Sequence, residues 1–129
     1  MKTHYLTPLI FCCALFPAQA TDIDSAYTAY KKGHYEQAYL KFDQLLAEQN
    51  PDAAMQMGLM TLKEKGCEHD PAKALALFEK AAEWGHPEGM AMVTEIKPRL
   101  NQLQLERAKT YQQEIDEREQ QPQPLADLE

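Results

Sequence analysis

Apolar residues recur at intervals of three and four along most of the chain. Between 71 and 84, Ala74, Leu75, Phe78, Ala81 and Ala82 form one stripe with a 3.6-residue period. Turn-forming residues bound that stripe. Asp70 reads as an N-cap and Pro71 as a first helical residue. Gly85 reads as the C-terminal stop, and Pro87 keeps the helix from resuming at once. The same signals predict helices over 23–32, 35–48, 52–64, 71–84, 88–97 and 102–119. Asn101, with Gln104 three residues on, is a capping box for the last, and Pro98 separates it from the fifth. No stretch alternates with period two, so the predicted class is all-α.

The pattern also repeats at long range. Ala38 is followed by Phe42 and Pro51, and Ala74 by Phe78 and Pro87, with one offset of 36 residues throughout. Gly33 precedes Ala38 by five residues and Gly66 precedes Ala74 by eight, so the second unit has a turn three residues longer. The adjacent Ala81 and Ala82 admit a neighbouring backbone, and Gly85-His86-Pro87 turns the corner.

The stretch 53–87 resembles the Sel-one-like repeat (SLR) family, a branch of the tetratricopeptide-like helix-turn-helix repeats. Ala53, Met57 and Gly58 match the family's first helix, with Thr61 standing where an aromatic is usual. In the turn, Gly66 matches the second glycine, Glu64 replaces the first, and Cys67 takes the place of valine. Asp70, Lys73 and Ala74 match the opening of the second helix. Phe78, Lys80, Ala81, Ala82 and Gly85 match its close. Residues 26–51 look like a degenerate unit, and 88–119 like a third unit or a cap. The resemblance implies an αα-hairpin solenoid of two to three SLR or tetratricopeptide-like helix pairs, in which stacking neighbours close each other's core. It also implies an adaptor that holds a protein or peptide partner, rather than an enzyme. The alternative is a structural or stabilising subunit of a larger assembly, with no ligand of its own.

Composition narrows the setting. Residues 1–20 read as a cleaved signal peptide: Leu6 to Phe16 is a short apolar run, and the segment ends in Ala18-Gln19-Ala20. The domain then covers 21–120, and the proline-broken 121–129 reads as a disordered polar tail. After residue 20 there are twelve basic against twenty acidic residues, a net charge of −8, which disfavours nucleic acid as a partner. Cys67 is then the only cysteine, so no internal disulfide forms. A periplasmic or secreted location follows, with no membrane span once the signal is removed.

Candidate chemistry is sparse. Met55, Met57, Met60, Met90 and Met92 suggest copper, but residues two apart point about 200° apart on a helix and cannot close on one ion. Core filling by pliant side chains is the expectation. Cys67 and His69 are two ligands where zinc needs four, and no oxyanion site accompanies the thiol, so neither metal, cofactor nor catalysis is expected. On the wheel of 52–64, Ala53, Ala54, Met57, Gly58 and Thr61 face the following helix, while Met55, Leu59 and Lys63 form a stripe on the other side. That stripe, if open to solvent, is a partner groove, and Trp84 is a further contact candidate. The acidic run 114–119 reads as a solvated helix face.

Overall fold

The computed structural model describes residues 22–120, so the expected signal peptide and polar tail lie outside the described residues. Among the described residues every regular element is a helix. They are α1 (Ile23–Lys31), α2 (Tyr35–Leu46), α3 (Pro51–Leu62), α4 (Pro71–Glu83), α5 (Gly89–Ile96) and α6 (Gln102–Gln120), with a 3₁₀ turn at Lys97–Arg99 before α6. The described residues fold as helices without strands, and each helix boundary lies within two residues of its predicted place.

Local chemistry accounts for the helix starts. Asn50 Oδ1 accepts the Ala53 amide at 3.0 Å, and Asp70 Oδ1 accepts those of Ala72 and Lys73 at 3.1 and 3.2 Å. Pro51 and Pro71 follow these caps at positions where no amide hydrogen is needed. At α6 the capping box is reciprocal: Asn101 Oδ1 accepts from the Gln104 amide at 2.9 Å, and Gln104 Oε1 from the Asn101 amide at 3.0 Å.

One device ends four of the helices. A residue with positive φ follows the helix, and the next amide reaches back five residues to a carbonyl. Gly33 (φ 79) is followed by His34 N–H to Ala29 O at 3.0 Å, and Gly85 (φ 98) by His86 N–H to Ala81 O at 2.7 Å. Gln49 (φ 57) and Glu64 (φ 53) do the same, with Asn50 bonding Leu45 and Lys65 bonding Met60. Glu64 thus takes the left-handed conformation at the place where the family resemblance expects glycine, which adopts it at no steric cost.

Neighbouring helices meet through small residues and rings. Tyr27 of α1 lies edge-on to Phe42 of α2 with centroids 5.1 Å apart. Gly58 of α3 sits against the Phe78 ring of α4, so closely that a Cβ there would lie 2.5 Å from Cε1. Phe42 and Phe78 are both fully buried. The alanine pair divides its work: Ala81 is buried in the core, while the first turn of α5 lies over Ala82. A Cβ on Gly89 would approach the Ala82 nitrogen to 2.6 Å.

The last helix departs from the sequence expectation. α6 turns back across α4, and its end reaches α2. It buries Ala108 and Ile115, rests Leu105 and Tyr111 against the core, and adds polar contacts. Asp116 binds the Lys80 ammonium, Arg118 grips Asp43 bidentately at 2.9 Å, and Glu119 accepts from Gln49 at 3.0 Å. The run 114–119 is therefore not simply a solvated face. Its Asp116, Arg118 and Glu119 fasten the helix, because the α2–α4 surface beneath carries partners of matching charge.

Candidate functional site

The structure does not gather the four candidate contact residues into one groove. Met55 is buried at 6 % exposure, which corrects its reading as part of an open stripe; α3 is apolar nearly all round and is covered on that side too. Leu59 is half-buried against the core, and Lys63, which caps the end of α3, is exposed. Trp84 is half-buried at the end of α4, with the Lys80 ammonium 5.9 Å from its ring centroid. The corner that follows lies near the start of α3, where His86 Nε2 is 3.5 Å from Asp52. Lys63 sits at the other end of that helix, about 18 Å away at 1.5 Å per residue. Leu59 with Lys63 and Trp84 are thus two separate surface features.

The methionines divide as well. Met55, Met57 and Met60 are core, Met92 is half-buried, and Met90 is 62 % exposed. Cys67 is half-buried, packed on the core with its thiol 3.8 Å from Thr61 Oγ1. Thr61 is buried and donates to the Met57 carbonyl at 2.8 Å, so a hydroxyl occupies the expected aromatic position with its hydrogen bond made.

Lys80 is the least expected core residue, at 4 % exposure. Burial works against its charge, but Asp116 and Glu83 outweigh that and raise its pKa above the ordinary lysine value.

A polar recess of about 580 Å³ opens where α2, the start of α4 and α6 meet. Asp70 lies at its edge with both oxygens engaged. Oδ1 caps α4, and Oδ2 accepts from the Tyr111 hydroxyl at 2.7 Å and from Arg107 Nη2 at 3.2 Å. Lys73 enters from α4, with its ammonium 5.5 Å from the Tyr39 ring centroid and 6.0 Å from that of Tyr111. Burial pulls the Lys73 pKa down, and the Tyr39 and Tyr111 oxygens with the Asp43 charge more than reverse this, leaving it raised. The Tyr39 hydroxyl is itself buried and in hydrogen-bonding geometry with no described group. Sequence reasoning marked Asp70 and Lys73 only as repeat positions. The Arg107–Tyr111 pair, at i and i+4 on a helix, was the readable signal that α6 contributes a polar patch.

Asp70 makes a testable contribution. Burial raises its pKa, but the Tyr111 hydroxyl, the Lys73 amide, Arg107 and the Ala72 amide prevail and hold it below the ordinary carboxylate value. A carboxylate depressed on folding stabilises fully above its unfolded pKa, and that share fades as pH falls through the folded value. Asp70→Ala is expected to cost about 2 kcal/mol at pH 7, roughly one for the cap and one for the Tyr111 hydrogen bond. Urea midpoints of variant and parent should converge towards pH 3; an equal gap at both pH values would contradict the assignment.

Helices, cappings and recess together define an all-α protein with a small polar cleft at one end. Comparison with protein-family models, with curated proteins and with solved structures finds no match. Among the described residues no helix is long and apolar enough to cross a membrane, and no three His, Cys, Asp or Glu side chains are grouped to hold a metal.

Proposed function

We propose that the chain is an exported, non-enzymatic adaptor of the Sel-one-like repeat type, a short solenoid of helical hairpins that binds a protein or peptide partner in the bacterial envelope. One observation chiefly supports it. The Ala-x-x-x-Phe pairs Ala38/Phe42 and Ala74/Phe78 are fully buried in α2 and α4, and the corners after α2 and α4 are closed by the same hydrogen bond at the same 36-residue offset, Asn50 to Leu45 and His86 to Ala81. Two copies of one unit, each too thin to bury its own face, account for that recurrence. The exposed Lys63 with Leu59, and Trp84 at the opposite end of α3, are the contacts we assign to the partner. An extended or two-point partner fits their separation.

The test is capture of interacting proteins from envelope extract by the full chain, beside Lys63→Glu, Trp84→Ala and a remote control, Glu48→Lys. A discrete partner lost with the first two and kept with the control is the expected result. Co-fractionation in a large assembly that neither substitution alters would favour the structural-subunit reading instead.

A further inference from the structure

The recess at the start of α4 has a surplus of hydrogen-bond donors. Its buried-edge acceptor, Asp70, is spent: the α4 amides, Tyr111 and Arg107 use both oxygens. The start of α4 is therefore no free anion site, and side chains must carry any binding. Lys73 can. Among the described residues no carboxylate forms an ion pair with its ammonium, which lies beside the Tyr39 and Tyr111 rings and is favoured by their oxygens. Asp43, whose charge acts on Lys73, is taken bidentately by Arg118. The buried Tyr39 hydroxyl has a proton to give and no acceptor. Arg107 uses one terminal nitrogen on Asp70 and Tyr111, and its guanidinium has further N–H groups. His69 Nδ1 donates to the Leu62 carbonyl at 3.0 Å, which fixes the ring at the rim. Glu68, the other carboxylate lining the recess, is exposed.

A half-buried cation and an orphaned hydroxyl beside a cavity of this size are complementary to an oxyanion, which accepts from both at once. We propose that this recess binds the oxyanion group, carboxylate or phosphate, of a small ligand, with Lys73 as the principal charge, Tyr39 as a neutral donor and Arg107 at the mouth. A ligand there would touch α2, α4 and α6 together and so tie the last helix to the body. The site stands whether or not the chain holds a protein partner.

The probes are inorganic phosphate and succinate, each titrated into the full chain at constant ionic strength with chloride as the balancing anion. The readout is the amide NMR shifts of Ala72 and Lys73. Saturable binding of at least one probe is expected; phosphate alone saturating identifies a phosphoryl ligand, and succinate alone a carboxylate. Lys73→Met should weaken binding about tenfold or more, the usual scale for losing a charge-assisted contact. Tyr39→Phe should weaken it several-fold. Lys65→Met, whose parent ammonium lies over the Tyr35 ring outside the recess, should leave it unchanged. Absence of saturation with both probes, or undiminished affinity in a folded Lys73→Met, would overturn the proposal. Should Lys73→Met fail to fold, undiminished affinity in Tyr39→Phe does the same.

Discussion

Phe78→Ala should come close to unfolding the protein. The ring is fully buried in α4 and packs directly against Gly58 of α3, which has no side chain to move into the space left behind. Loss of transfer free energy plus an unfilled cavity places the cost at about 3–5 kcal/mol. Domains of this size are stable by only about 5–15 kcal/mol. A companion substitution makes the argument sharper. In the parent, Gly58→Ala drives a methyl to 2.5 Å from the ring and should destabilise. In the Phe78→Ala background the same methyl enters the cavity, so its effect should vanish or turn favourable. A thermodynamic cycle with no coupling between the two positions would show that they do not touch.

Gly66→Ala should be nearly as severe, for two additive reasons. The residue has φ 75, and a Cβ would lie 2.4 Å from the carbonyl carbon and oxygen of Tyr35 at the start of α2. The first reason costs roughly 1–2 kcal/mol, and forcing an atom into packed backbone about 1–3 more. Gly85→Ala separates them, since Gly85 has φ 98 with open space around it. We expect about 1–2 kcal/mol for Gly85→Ala and about 2–5 for Gly66→Ala, read as a thermal midpoint some 10 °C or more below the parent in the worse case. Equal midpoints for the two variants would mean that the α3–α4 turn does not rest on α2. The contact also explains the turn's three extra residues: they carry Gly66 back to the preceding corner, where Lys65 lies 4.6 Å over the Tyr35 ring.

Helix positions were legible because they follow from neighbours in the chain. Asp70 before Pro71 and Asn101 with Gln104 are caps whose partners lie within three residues, and each forms as expected. The burial of Phe42, Phe78 and Ala81 was legible too, since their spacing puts them on one face of a helix. The candidate site was less so. A wheel shows that Met55 and Leu59 share a side of α3 without telling whether that side is covered, and Met55 is buried in the core. Nor did the polar recess announce itself, because Tyr39, Lys73 and Arg107 are brought together only across three helices.

Periodicity, caps and glycine corners are short-range properties, and from them the chain alone determines the six helices of the described residues and their places. The path of α6 is a different kind of fact. Leu105, Ala108, Tyr111 and Ile115 mark only a narrow stripe on a mostly polar helix, and that stripe does not say which surface it should meet. Folding settles that through pairs far apart in sequence, Lys80 with Asp116, Asp43 with Arg118 and Asp70 with Tyr111. These two ion pairs and one hydrogen bond form only once the α2–α4 surface exists to hold one member of each in place.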